Sequence, residues 1–248
     1  MSRSGTEPAT SSAVDTENRP PVAPAHGDRQ AQPGRPAHEH PVPTACITIS
    51  RETGARGETV ARLVGQRLGW EVYNHEVLEY IAQVAHLRSG LVEELSSPGR
   101  GWTERWLHKL LVGPAAGGDP GVTHLSQVVL AVGLQGQAVI VGRGAACVVP
   151  RDRALHVRLV APLSERVAFM SELKRLTRAD AERYVQETDA QRLQFVKAYF
   201  GRDGADPHLY DLVLDTSYLG VDLAADLVVQ AFLGKQNRRR LPRFQRRS

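Results

Sequence analysis

Ala45-Cys46-Ile47-Thr48-Ile49, then Ser50-Arg51-Glu52-Thr53-Gly54-Ala55-Arg56-Gly57, then Glu58-Thr59-Val60-Ala61-Arg62-Leu63-Val64-Gly65-Gln66-Arg67-Leu68-Gly69 is the stretch on which the fold turns. Its first part is a short β-branched run, the pattern of a buried strand. Its second part carries two glycines, which let a chain reverse tightly. In its third part Val60, Leu63, Val64 and Leu68 recur at helical spacing, and Gly69 follows as a C-terminal cap. The unit therefore reads strand, glycine turn, helix.

The alternation continues downstream. Glu71-Val72-Tyr73 predicts a second strand and Glu76 to Leu87 a helix. Residues 96–122 are rich in Gly, Pro and Ser around Trp102 and Trp106, and predict a flexible or partly helical insertion. Leu125 to Leu134 predicts a buried helix, and Ala138-Val139-Ile140-Val141 a strong strand that runs into Gly142-Arg143-Gly144. Leu155 to Val160 is a further strand closed by Ala161-Pro162, and Leu163 to Leu173 and Arg178 to Tyr199 read as helices, the second heavily charged. Asp206-Pro207 with Tyr210-Asp211 reads as a fixed turn before a last strand, Leu212-Val213-Leu214; a closing helix spans Leu223 to Leu233. About five apolar strands alternating with helices predict an α/β fold, a parallel sheet covered on both faces. Ligands of such sheets bind at the carboxyl ends of the strands. The turns after Ile49 and Val141, the Pro162 turn and Asp215-Thr216 all fall at that edge.

The two ends differ from this domain, drawn here as 45–235. Residues 1–44 hold eight of the fifteen prolines and show no period of 2 or 3.6, so they predict a disordered leader with no face to bury. His26, His38 and His40, spread along it, are read as solvated rather than metal-binding. Residues 236–248 predict a basic disordered tail: from Lys235 onward there are seven positive charges and no acid. With −1 on the leader and +7 from Lys235 on, the formal net charge of +4 leaves −2 on residues 45–234, so the domain itself is not basic. Hydrophobic residues at 42% and charged residues at 23% suit a globular chain, and no uninterrupted apolar run reaches the ~20 residues of a membrane span. Cys46 and Cys147, without a CxxC spacing, predict buried thiols, and a cytoplasmic location is the expectation.

The glycine turn holds the chemistry. A phosphate-binding loop reads GxxxxGK[ST], because backbone amides and a helix N-terminus cradle phosphate, Lys screens its charge and the hydroxyl holds Mg²⁺. Here Gly57 stands where Lys belongs, Glu58 where the hydroxyl belongs, and Thr59 one place late. A carboxylate at 58 would repel phosphate or engage Mg²⁺. Arg56 and Arg51 could supply the missing charge, while a side chain at the third glycine position could block close approach. Arg143, set between glycines at a strand end, suits bidentate phosphate recognition or an ion pair. Arg166, in the first turn of a helix, calls for an anion or partner near it. Asp189 and Arg192 stand three apart on one helix and can pair locally.

Ile49-Ser50-Arg51-Glu52 with Gly54 and Gly57 is similar to the ISRE-x-G-x-x-G signature of the cytidylate kinase-like family. The likeness continues in Gly69, Tyr73-Asn74-His75-Glu76, Val139 to Ala145, Ala161 to Arg166, Asp189-Ala190-Gln191-Arg192 and Asp206 to Thr216, nearly the whole of 45–235 in order. The resemblance implies a P-loop NTPase-like fold with a helical lid. It implies a donor cradle at Arg51, Gly54, Ala55, Arg56, Gly57, Glu58 and Thr59, with Mg²⁺ at Thr59. It also implies acceptor contacts from Asn74, Arg143 and Asp189, and transfer assisted by Arg143, Arg166 and Arg192. The family usually carries Gly-Gly-Arg where the Lys would be, so Gly57 conforms while Arg56 and Glu58 depart, as does Asn74 at a position often Asp.

Two functions follow from this. One is a nucleoside monophosphate kinase using ATP and Mg²⁺ with CMP or a similar acceptor. The other is a non-catalytic relative acting through partners. The Arg-rich tail adds weak, nonspecific nucleic-acid contact as a third expectation.

Overall fold

The computed structural model describes residues 46–87 and 119–240. The leader, most of the 96–122 insertion and residues 241–248 of the tail lie outside the described residues. The elements run β1 (Cys46–Arg51), α1 (Gly57–Leu68), β2 (Glu71–Tyr73), α2 (His75–Leu87), α3 (Pro120–Gln135), β3 (Ala138–Val141), α4 (Ala145–Val148) and β4 (Ala154–Val160). Then follow α5 (Leu163–Lys174), α6 (Arg178–Phe200), a 3-10 turn (Pro207–Leu209), β5 (Leu212–Asp215) and α7 (Thr216–Arg240), the last broken at Gly220.

All five strands are parallel, in the order β2-β3-β1-β4-β5, as an α/β sheet predicts. Alternation along the strands divides the side chains between two layers. Ile47, Ile49, Val139, Val141, Leu155, Val157 and Leu159 pack with α1 and α7, through Val60, Val64, Ala224, Ala225, Val228 and Phe232. Cys46, Ala138, Ile140 and Ala154 face α3, α4 and Phe200 of α6. Each fully buried Ile, Leu or Phe in these layers contributes roughly 1.5–3 kcal/mol.

The second face is not uniformly apolar. Thr48, Ser50, His156 and Arg158 continue it toward the carboxyl ends of β1 and β4. Thr48 and His156 are buried and share a hydrogen bond of 2.6 Å. Reading Leu155 to Val160 as apolar throughout overlooked that every second residue of β4 belongs to this polar row.

Helix ends follow local chemistry. Asp119 caps α3, accepting from the Gly121 and Val122 amides with Pro120 at the first position, so this helix starts within the expected insertion. Thr177 caps α6 through the Asp180 amide. Asp206 caps the 3-10 turn through His208, which makes the Asp206-Pro207 segment the fixed turn its sequence suggests. By length and composition α7 is apolar enough to cross a membrane; here Ala224, Ala225, Val228 and Phe232 lie in the core, and Arg67 of α1 pairs with Asp222 and Asp226. It runs to Arg240, past the boundary drawn at 235. Burial raises the Cys46 thiol to about 12 and the Cys147 thiol to about 11, so both stay protonated at neutral pH.

Candidate active site

β1 delivers the glycine loop to the N-terminus of α1, where unpaired amides and the helix dipole favour an anion. Gly54 holds φ +87°, and a Cβ there would lie 2.7 Å from the Arg166 carbonyl. Glycine is therefore required for the loop to seat against the first turn of α5. Ala55 is buried, and its carbonyl accepts from Thr216 Oγ1 at 3.0 Å. Arg56, at the third glycine position, keeps a glycine's backbone, φ 53° and ψ 29°, at a cost of roughly 1–2 kcal/mol. Its guanidinium leaves the loop and lies over the Phe169 ring of α5, 4.8 Å from the centroid. Arg56 thus neither blocks the cradle nor lends it charge.

Arg51 packs on the same loop. Its Cγ occupies the space of a side chain at Gly57: a Cβ there would lie 2.7 Å away. A Cβ at Gly142 would fall on the Arg51 guanidinium. Six places before the Lys position of GxxxxGK comes its first glycine, and that place is Arg51. The cation thus stands at the beginning of the motif instead of its end, with its guanidinium reaching Gly142 and Glu58. Arg51 is 9% exposed, and its recorded ion pair is Glu58 at 3.7 Å. Burial, then the charge of Arg192, then that of Arg143 push its pKa down to about 10, with Glu58 opposing. Arg192 is likewise lowered, by burial first and by Arg143, against Asp189, Tyr184 and Glu58. Glu58 is exposed in the first turn of α1, and Thr59 follows it half-buried. A carboxylate and a hydroxyl beside a phosphate cradle fit the oxygen-ligand chemistry of Mg²⁺, whose remaining ligands would be phosphate and water.

Arg166 and Asp189 are bonded to each other and to the glycine loop. Arg166 donates from Nε to the Ala161 carbonyl at 2.9 Å, and from one terminal nitrogen to the Thr53 carbonyl at 3.2 Å and Asp189 Oδ2 at 2.6 Å. Glu52 stands 3.4 Å from it on another side. Asp189 Oδ1 accepts the Thr53 amide at 2.7 Å. The anion expected near Arg166 is thus this protein carboxylate, and the pair fastens α6 to the loop. Arg192 adds a bond to Thr53 Oγ1 at 2.9 Å yet remains about one-third exposed, its charge facing the cavity.

Asn74 is also committed locally: its Oδ1 accepts the Val77 amide at 3.0 Å and so opens α2. Asn74 and Asp189, both read for the acceptor contact, thus each hold a bond within the protein as well.

A cavity of about 540 Å³ opens at the carboxyl edge, on the α3–α6 side of the sheet, between β3, β1, β4 and α6. Arg51, Arg143, Arg158 and Arg192 bring their charges to it, and Ala146, Phe195 and Tyr210 give it apolar wall. Arg143, at φ 53°, is held by an ion pair with Glu79 of α2. Gly144 beside it has φ +65°, and a Cβ there would meet the Phe200 ring. Arg158 donates to the Gly204 carbonyl at 2.7 Å and stacks on Tyr210, 5.7 Å from the ring centroid. Glu79 and Arg158 escaped the sequence reading, which met His75 only within the family likeness and Tyr210 only there and as part of a turn. Arg158 alone carried a signal, a charge inside an apolar strand. Among the described residues there is no cluster of three or more His, Cys, Asp or Glu able to hold a metal by itself.

A glycine loop between β1 and α1, a parallel sheet with β1 at its centre, and a charged helix folded over the loop define a P-loop kinase fold. The chain belongs to the cytidylate kinase-like family, whose model matches residues 46–218. Among solved structures it is similar to an uncharacterized protein from Eubacterium ventriosum, with TM-score 0.61 and 16% identity over 77% of this chain and 99% of that one. Shikimate kinase from Acinetobacter baumannii, in complex with shikimate, aligns with TM-score 0.43 and 15% identity over 77% of this chain and 94% of that one. A comparison with curated proteins gave no match.

Proposed function

We propose that the chain transfers the γ-phosphoryl group of ATP to CMP or a similar nucleoside monophosphate. The observation that carries this reading is the convergence of Arg51, Arg143 and Arg192 on one cavity beside the glycine loop. Two of the three are held below the ordinary guanidinium range by burial and by one another's charge, a cluster that a polyanion would relieve.

The α1 N-terminus with Gly54 and Gly57 cradles the donor phosphates, and Arg51 supplies the charge that Lys gives in other loops. Arg143 orients the acceptor phosphate, and Arg192 on α6 stabilises the charge spread over the transferred group. An acceptor phosphate oxygen forms the new bond to the γ-phosphorus, and the bond to the β–γ bridging oxygen breaks and leaves ADP. Glu58 and Thr59 would hold Mg²⁺, which supplies charge neutralisation on the phosphates. Arg166 and Asp189 act as positioning residues that set α6 on the loop.

The test is ADP release by the full chain with Mg·ATP against the panel of nucleoside monophosphates. Turnover at or above ~1 s⁻¹ with one acceptor supports the reading. ATP binding without transfer to any of them overturns it. A non-catalytic nucleotide-binding relative is the second reading. It is favoured by Glu58 in the hydroxyl's place and by the Thr53 amide already occupied by Asp189.

A further inference from the structure

Tyr73 of β2 lies beside Ile140 of β3. Continuing that register past both strand ends sets His75 alongside Gly142, next to Arg143. Both side chains line the cavity. Each keeps one buried polar atom without a hydrogen-bond partner: Nδ1 of His75 and Nε of Arg143. Buried polar atoms are nearly always paired, so two orphans just past the ends of adjacent strands at one cavity mark where a ligand atom belongs. The other contacts leave these two atoms free for it. Arg143 spends a terminal nitrogen on Glu79, and the Glu76 carboxylate stands 4.0 Å from Nε2 of His75, on the opposite side of the ring from Nδ1. With its proton on Nδ1 the imidazole donates, as does the guanidinium Nε–H. Two converging donors, one of them charged, suit an oxygen that bears negative charge.

We propose that His75 Nδ1 and Arg143 Nε form a slot for an oxyanion carried by the acceptor, so that His75 decides which acceptors this chain takes. The inference rests on the transfer reading above and deepens it. The slot lies at the carboxyl ends of β2 and β3, one strand away from the glycine loop that follows β1, with the Arg51 guanidinium reaching across to Gly142. It therefore grips the molecule that receives the phosphoryl group, not the one that gives it. A nucleotide phosphate and the carboxylate of a small polyol share this chemistry, and the experiment separates them.

The full chain, labelled with ¹⁵N at histidine, is titrated with CMP, shikimate and orthophosphate while the His75 ring signals are followed by NMR. Calorimetry gives the affinities of wild type, His75→Ala and His75→Asn for ATP and for each acceptor. The expected result is a His75 signal that moves with CMP and a CMP affinity at least about 10-fold weaker in His75→Ala, the loss of one charge-type hydrogen bond. ATP affinity and thermal midpoint stay unchanged. His75→Asn, whose amide nitrogen can stand near the place of Nδ1, recovers part of the loss. Equal CMP binding and turnover by wild type and His75→Ala, with a still ring signal, overturns the slot and leaves the kinase reading intact. A His75 signal that moves with shikimate alone supports the slot and removes the nucleotide acceptor. A signal that ignores all three probes, in a protein that transfers phosphate to no nucleoside monophosphate, overturns both.

Discussion

Relocation of the loop cation from position 57 to position 51 can be undone in the protein. Arg51→Met removes the charge but keeps most of the stem that packs on Gly57. A guanidinium held near 10 instead of 12.5, on a side chain 9% exposed, sits in surroundings unfavourable to its charge by ~3 kcal/mol, at ~1.4 kcal/mol per pH unit. Without a bound anion, the variant is expected to be more stable than wild type by about 1–3 kcal/mol in urea unfolding. Transfer should fall by about 10²–10³, the loss seen when one preorganised donor to a developing charge is removed. Gly57→Lys alone should be destabilised, because its Cβ meets Arg51 Cγ at 2.7 Å and Cβ at 2.8 Å. Arg51→Gly/Gly57→Lys removes both atoms and returns glycine and lysine to their places in GxxxxGK. Its turnover and ATP affinity should exceed those of either single variant. The assays are steady-state ADP release and ATP calorimetry beside urea melts. An Arg51→Met protein as active as wild type and no more stable, or a double variant no better than the singles, refutes the reasoning.

Gly54→Ala should destabilise by roughly 2 kcal/mol or more, since the residue would need φ +87° and collide with the Arg166 carbonyl; unchanged urea melts would contradict this seating of the loop. Asp189→Asn should cost about 1–2 kcal/mol, because Arg166 keeps Glu52 as a partner, and should open α6 to proteolysis; a cleavage rate equal to wild type would show that the ion pair does not fasten this helix. Burial, opposed by Asp211 and aided by Lys235 and Arg151, holds the His156 pKa down at about 4 against 6.5 in the unfolded chain. The unfolded state then takes up the proton first, so stability is retained above pH ~6.5 and falls by up to ~3 kcal/mol as pH drops toward 4. Urea melts at pH 7, 6 and 5 measure this, and Thr48→Val/His156→Leu should flatten the acid limb between 6.5 and 4.

The sheet was legible because strands buried on both faces are written as continuous apolar runs, and Ala138 to Val141 and Cys46 to Ile49 are such runs. The site was legible only in part. A cation in the first turn of α5 correctly announced a nearby anion. No spacing could say that the anion is Asp189 rather than a phosphate, because the two residues meet through tertiary packing. Asn74 has the chemistry of a ligand-binding amide and of a helix cap alike, and only the start of α2 at His75 decides between them. Arg51 and Arg56 were both legible as cations that could serve the loop; the sequence could not choose between them, because tertiary packing sends one guanidinium to Gly142 and the other to Phe169. His75 was met only as part of the Tyr73-Asn74-His75-Glu76 likeness: its interest lies in one unpartnered nitrogen, which has no counterpart in sequence.

Two of the places where α6 touches the rest of the domain bear directly on the loop and the cavity. Near its middle Asp189 and Arg192 grip Thr53, and at its end Phe200 presses on Gly144. Eight residues of helix put ~12 Å between Arg192 and Phe200. Were the helix to turn rigidly about Phe200, its grip on the loop would move as the end of an arm. A turn of ~20° about Phe200 would carry Arg192 through an arc of ~4 Å, calculated from the ~12 Å arm. That arc exceeds the whole 2.9 Å length of its bond to Thr53 Oγ1, so the grip lets go at small angles while the aromatic bearing stays seated.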